Sequence, residues 1–437
     1  MKIAVLFDNF GPYHLARLRA SATISDLFAV EVAASSAEYA WKRLRGNAET
    51  LKSEILKADD EFEKAFSVSI FKIVTLLERD TSREASHREL EARLNNSLND
   101  FRPHAVFIPG WSSKAAFMAL RWCIRHEVPA VAMSESTEWD EARTLWREAV
   151  KQRIISLCSA ALVGGTAHKG YMVKLGMSPE QIFFGYDAVD NGYFKENAEK
   201  LKAEILKKEV RKKYGLPENY FLASARFIEK KNLPRLLQTY ALYRQKAEDR
   251  SQKSGDEKSE IGNRKSEIWD LVLLGDGDLR SSILNLRSSL DLGACVHLPG
   301  FRQYDELPAY YGLAKVFIHA STTEQWGLVV NEAMSSGLPV LVSNRCGCAQ
   351  DLVQEGVNGF TFDPHNIEEM SDAMLKISTF EDVRLSAFGD ASRAIISQWG
   401  PERFAAGLKE AAEKAFEVGP KRAGILNRML LFALMRR

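Results

Sequence analysis

Arg226 and Lys231 stand in one short segment, Arg-Phe-Ile-Glu-Lys-Lys-Asn, directly after the apolar run 220–223. Two cations in a loop that leaves a strand can neutralise a diphosphate as it departs. The guanidinium brings a planar fork and the ammonium a compact charge. With Lys230 beside them, a solvated basic turn is the other reading of the same loop. Further along, Glu324 and Glu332 flank Gly327-Leu328. Gly327 lets backbone approach a ligand closely, and a helix opening at Leu328 offers free N–H groups and the positive end of its dipole, which together suit an anion. Glu332, about one turn into that helix, is placed to accept hydrogen bonds from ribose hydroxyls, and Glu324 precedes the helix, within reach of a sugar ring. Carboxylates near a helix start also serve stability alone.

Such groups need strands that end together. Short apolar runs at 2–7, near 28–34, and at 105–109, 129–133 and 160–164 read as buried parallel strands, with helical patterns at 14–20, 113–125 and 146–158 between them. Residues 38–100 are charged and mostly helical in pattern, with one apolar face around 70–77. A second series follows: strands at 220–223, 269–274, 295–298, 316–319 and 339–342, and helices at 233–245, 279–290, 307–313 and 328–336. Alternation of this kind predicts two doubly wound α/β domains, whose ligands bind beyond the carboxyl ends of the strands. A boundary is expected within 186–215, and the Ser-, Lys- and acid-rich stretch 247–267 reads as a mobile loop.

Composition narrows the function. The 437 residues carry 59 basic and 58 acidic side chains, net +1, so no global field draws nucleic acid and any anion must be gripped locally. Five cysteines, Cys123, Cys158, Cys295, Cys346 and Cys348, are too few and too oddly numbered for a disulfide framework, and read as free thiols in a reducing cytoplasm. The five apolar residues 3–7 are too few for a signal peptide, and no stretch approaches the ~18–20 apolar residues of a membrane span. A cytoplasmic protein is expected.

The order of the pieces is more specific than any one of them. Arg226 and Lys231 are followed by Gly275-Asp-Gly277, by Leu298-Pro-Gly-Phe301, by Glu324 to Glu332, by Ser335-Ser-Gly-Leu-Pro-Val340 and by Gly356-Val-Asn-Gly359. This succession resembles the GT-B glycosyltransferases of the family-4 type, the retaining EX7E group, strongly over residues 215–400 and more loosely over 1–195. The resemblance implies two Rossmann-like domains facing across a cleft: an acceptor-side domain over 1–195, a nucleotide-sugar domain over 196–399, and a helix at about 400–418 crossing back onto the first domain. It implies that Arg226 and Lys231 bind the diphosphate, that Glu324 contacts the transferred sugar and Glu332 the ribose, and that Gly11, Gly275, Gly277, Gly327 and Leu328 line the donor site. On the acceptor side it points to His14, in Gly11-Pro-Tyr-His14, and to Glu135, at a strand end where many relatives carry a histidine. The segment Gly347-Cys-Ala-Gln-Asp351-Leu-Val departs from the family's Gly-Gly-x-Pro-Glu-Ile-Val by Cys348 and Asp351, among others. The implied reaction moves a sugar from a nucleotide-sugar donor, by family frequency a UDP-sugar, to a glycan or lipid-linked acceptor in cell-surface polysaccharide synthesis. It retains configuration and needs neither cofactor nor metal.

Rival classes have their own signatures. Asp276-Gly-Asp278 spells the metal-nucleotide Asp-x-Asp of a different glycosyltransferase fold, but here it follows a buried strand as a Gly-Asp-Gly turn. A dinucleotide oxidoreductase would need Gly-x-Gly-x-x-Gly after the first strand, where only Gly11 stands. A sugar phosphorylase or epimerase on the same fold, or a non-catalytic nucleotide-sugar-binding module, is the alternative. The segment 420–437 carries five cations, no acid and a dense apolar block. It reads either as a peripheral contact with the inner face of an anionic membrane or as packing on the protein.

Overall fold

The computed structural model describes residues 1–34, 71–77, 87–255 and 268–436. Among them, thirteen strands form two sheets. The chain divides into two units, Met1–Asp190 with Trp399–Arg437, and Asn191–Gln398. The break falls at 190/191, five residues before the expected 195/196, because the helix Asn191–Lys200 packs on the second unit through Ala198, against Gly312 of the helix Leu307–Leu313.

In the first unit β1 (Lys2–Phe7), β2 (Asp26–Ala33), β3 (Lys72–Leu77), β4 (Ala105–Pro109), β5 (Ala130–Ser134), β6 (Ala160–Val163) and β7 (Ile182–Phe184) lie in the order β3-β2-β1-β4-β5-β6-β7, all parallel. Successive side chains of a strand face opposite ways. Ile3, Val5 and Phe7 therefore join one core with Phe107, Val131 and Leu162, while Ala4 and Leu6 join another with Leu94, Phe117 and Leu120. Each Val, Leu, Ile or Phe side chain so buried contributes roughly 1.5–3 kcal/mol. The helix Pro401–Val418 closes the first of these cores with Phe404, Leu408, Ala411, Ala412 and Ala415. It lies so close that a Cβ on Gly407 would stand 2.1 Å from the Phe184 carbonyl oxygen.

In the second unit β8 (Tyr220–Ser224), β9 (Asp270–Leu274), β10 (Val296–Gly300), β11 (Val316–His319), β12 (Val340–Ser343) and β13 (Gly359–Phe362) are again parallel, in the order β10-β9-β8-β11-β12-β13. From β8 the chain winds outward to β10, then returns to place β11 on the other side of β8. The strand order reverses between β8 and β11, and such a reversal opens the crevice where doubly wound folds bind ligands. In the first unit the same reversal lies between β1 and β4.

Two readings of the sequence need correction. Residues 70–77, expected as a helical face, contain β3 instead. Its Lys-Ile-Val-Thr-Leu-Leu is rich in β-branched residues and pairs along β2. The stretch from 247, expected as a loop, is helical to Gly255, since the helix Leu233–Gly255 continues through it. Residues 256–267, and 38–70 and 78–86 of the charged region, lie outside the described residues. The strands β7 and β13 had no expectation at all.

The segment beyond 419 holds the helix Ile425–Arg436. It buries Leu431 and Met435 in the first unit's core and leaves Ile425, Leu426, Met429 and Phe432 exposed. No helix among the described residues is long and apolar enough to cross a membrane. The five cysteines are free and buried.

Candidate functional site

The loops leaving β8, β11 and β12 are tied together by backbone. The Thr322 N–H donates to the Lys230 carbonyl at 2.9 Å, Glu324 N–H to Arg345 O at 3.2 Å, and Gly347 N–H to Glu324 O at 3.1 Å. Asn232, in the left-handed conformation at φ 59°, donates its amide to the carbonyls of Ala320 (3.0 Å) and Pro364 (2.8 Å). Left-handed backbone suits Asn better than most residues. The turn that ends at Lys231 is thereby held against the exit of β11.

This arrangement brings Lys231 and Glu324 into an ion pair. The same carboxylate oxygen, Oε2, lies 3.3 Å from His319 Nε2 and 3.4 Å from Ser321 Oγ, and Ser321 Oγ is 3.2 Å from that ring nitrogen. Burial alone would raise the Glu324 carboxyl. The Lys231 charge and the His319 hydrogen bond outweigh it, and the group is held well below the usual carboxylate range. His319 is displaced downward, chiefly by burial and also by Lys231, against the pull of Glu324, so it is neutral at neutral pH.

Arg226 is exposed on the loop two residues after β8. That loop rests on the turn Gly275-Asp276-Gly277: Phe227 N–H donates to Asp276 O at 2.8 Å, and Leu279 N–H to Phe227 O at 3.0 Å. Gly275 and Gly277 therefore serve first as the bed of the Arg226 loop. Asp276 Oδ1 accepts the Gly277 N–H at 2.8 Å, so this aspartate closes its own turn. Among the described residues no group of three or more His, Cys, Asp or Glu is arranged to hold a metal ion.

Gly327 caps the helix Leu328–Ser335 at φ 105°, ψ 61°, a conformation that favours glycine. A Cβ there would meet Glu324 Cγ and Cys348 Sγ only at 3.5 Å, so the requirement is backbone shape rather than space. Trp326, 1% exposed, anchors the segment by donating Nε1–H to Asn331 Oδ1 at 2.9 Å. Glu332, also 1% exposed, is set deeper than its place one turn into the helix suggests. Burial first, and then the charge of Glu332 beside it, push the Tyr311 hydroxyl well above its ordinary value. Cys346 and Cys348 are buried near Glu324, their thiols pushed up chiefly by burial.

The first unit holds the remaining candidates. Gly11 precedes the helix Pro12–Ala22 and donates its N–H to His14 Nδ1 at 3.1 Å. Gly165 and His168 repeat this cap after β6, also at 3.1 Å. Burial, reinforced by Arg17, holds the His14 imidazole well below its ordinary value, in keeping with a ring nitrogen that accepts. Glu135 is half-buried just beyond β5, near Tyr186, whose hydroxyl is pushed up by burial and then by the Glu135 charge. Arg17 opposes that effect and donates to the Tyr186 carbonyl at 2.7 Å, while Asp187 and Asp8 add to it. Asp8, Arg17, Tyr186, Asp187, His319, Ser321 and Asn232 escaped the sequence reading. The signal available was a lone His319 ending an otherwise apolar strand, with Ser321 two residues beyond it.

Comparisons with known proteins agree with this architecture. Residues 206–391 match the family described as glycosyl transferases group 1. An uncharacterized glycosyltransferase of Haemophilus influenzae is 30% identical over 135 residues, 31% of this chain and 37% of that protein. A GDP-mannose-dependent alpha-(1-6)-phosphatidylinositol monomannoside mannosyltransferase of Mycobacterium tuberculosis is 30% identical over 148 residues, 32% of this chain and 38% of that protein. The matched stretches thus span less than two fifths of those relatives. Among solved structures, Anabaena HepE in complex with UDP-glucose aligns with a TM-score of 0.65 at 16% identity, over 94% of this chain and 98% of that one, which shows the shared GT-B fold of two Rossmann-like domains.

Proposed function

We infer that this chain, whose residues 206–391 are a glycosyl transferases group 1 domain, is a retaining glycosyltransferase of the family-4 type that moves a sugar from a nucleotide diphosphate to an acceptor hydroxyl. The observation that carries the reading is the pairing of Lys231 with Glu324 where the strand order reverses between β8 and β11, next to the Gly327 helix start. Lys231 and Arg226 are the groups to take up the diphosphate, and the amides at Gly327 and Leu328 add to its stabilisation. Glu324 contacts the transferred sugar and Glu332 the ribose.

In the proposed reaction the bond from the anomeric carbon to the β-phosphate oxygen breaks, and a bond to the acceptor oxygen forms on the same face. The acceptor's proton passes to the departing phosphate oxygen. Lys231 and Arg226 compensate the charge that accumulates there, and no metal is required. Glu135 and His14 are the acceptor-side groups, with His14 able to offer only Nε2, since Nδ1 is engaged by Gly11.

The donor is proposed to be a UDP-sugar, a reading supported by the UDP-glucose bound in HepE. GDP-mannose, the donor of the mycobacterial relative, is the comparison to run. A glycan or lipid-linked acceptor, used in cell-surface polysaccharide synthesis at the cytoplasmic face of a membrane, fits the exposed apolar side of Ile425–Arg436 and the five cations of 420–437. The experiment is to incubate the purified chain with UDP-glucose or GDP-mannose and follow nucleotide release, with and without acceptor. Release by the wild type that is lost in Lys231→Ala supports the reading. Release that continues unchanged in the variant contradicts it.

A further inference from the structure

His319 is the last residue of β11 and is 3% exposed. Its Nε2, the Ser321 hydroxyl and the Lys231 ammonium all converge on one oxygen of Glu324, Oε2. A neutral imidazole carries one N–H and one acceptor nitrogen. The nitrogen that faces a carboxylate is the one that gains from holding the proton, so His319 donates through Nε2.

We propose that His319 is a positioning residue: it keeps the Glu324 carboxylate in place when Lys231 turns from that carboxylate to the diphosphate. The inference rests on the reading of Lys231 as a diphosphate ligand. On that reading one ammonium serves two partners, the Glu324 carboxylate and the diphosphate. A buried carboxylate that loses its counter-ion rotates toward another donor or takes up a proton, because an unpaired charge is costly there. The His319 N–H and the Ser321 hydroxyl hold Oε2 without Lys231, which keeps the other oxygen directed to the sugar. A neutral ring does this without adding a cation that would compete for the phosphate. Phe317, two residues earlier on the same strand, lies beside the ring nearly parallel to it, with 6.2 Å between centroids.

The test compares His319→Leu with His319→Gln, whose amide nitrogen stands where Nε2 stood. Turnover is read with whichever of UDP-glucose and GDP-mannose the wild type consumes, and binding of the matching nucleoside diphosphate is read separately by calorimetry. In His319→Leu, kcat is expected to fall by on the order of 10²-fold, as for a misplaced reacting group, while diphosphate affinity and donor KM stay close to wild type. His319→Gln is expected to recover most of the loss. Undiminished kcat in His319→Leu overturns the inference, and so does a His319→Gln variant as impaired as the leucine one. If the wild type binds neither diphosphate, the reading of the Lys231 site fails, and the inference falls with it.

Discussion

A Cβ on Gly275 would stand 1.8 Å from the carbonyl oxygen of Ala225. The turn after β9 and the loop after β8 are thus in backbone contact, and the loop so supported carries Arg226. With φ at 127°, Gly275 also has a conformation that other residues reach only under strain. Gly275→Ala is expected to lose stability, about 1–3 kcal/mol from backbone strain with the steric clash in addition. Urea unfolding measures it, and donor affinity should weaken in parallel as Arg226 shifts. A variant as stable as wild type would show that the two loops are not so joined.

Lys231 is both the counter-ion of Glu324 and the proposed diphosphate ligand. Lys231→Ala should lower turnover by roughly 10²–10³, the usual effect of removing one charge-stabilising group. Lys231→Arg should recover little, since the broad fork does not fit where a point charge paired with Oε2. Steady-state rates for both variants, with circular dichroism as a check on folding, decide this.

The Glu324 ion pair fixes a pH dependence. Its carboxyl lies below the ordinary 4.5 when folded and returns to it on unfolding. A depressed folded value means that the stabilisation is complete above 4.5 and is lost as the pH falls through the folded value. The stability difference between wild type and Glu324→Gln should therefore be constant above that point and shrink on acidification below it. A difference that grows with acid would have the wrong sign.

His14 acts in the same direction, but in a higher pH interval. Its ring is held well below 6.5, so under mildly acidic conditions the unfolded chain binds a proton that the folded chain refuses. Stability attributable to this position declines as the pH drops below 6.5, until the folded ring too is protonated. His14→Gln removes the titration, and its unfolding midpoint should be less sensitive to pH over that interval.

Leu426, Met429 and Phe432 are exposed, whereas Leu431 and Met435 are buried. Serine at the three exposed positions should abolish sedimentation with anionic lipid vesicles and leave the melting temperature unchanged. Sedimentation equal to wild type would remove the proposed membrane contact.

The sequence disclosed what depends on short-range pattern. Runs such as Lys2–Phe7 and Val316–His319 are apolar without interruption, because strands buried on both faces leave no alternation to misread. Arg226 and Lys231 were visible as cations in the loop after an apolar run, and Glu324 and Glu332 as carboxylates on either side of Gly327. Hidden were partnerships set by tertiary contact: Asn232 bridging Ala320 and Pro364, His319 against Glu324, and the burial of Glu332 beside Tyr311. β3 was misread because its six residues carry an apolar face that suits either a helix or a strand, and only pairing with β2 decides between them.

The helix Pro401–Val418 supplies Phe404, Leu408 and three alanines to a core whose other members begin at Ile3. A ribosome releases the start of that core first and its lid last, with all of Asn191–Gln398 emerging in between. During synthesis one apolar face of the β1–β7 sheet therefore waits bare while the second unit can already form. The nascent chain is most exposed to aggregation in that interval, and a chaperone that shields extended apolar surface has its clearest target there.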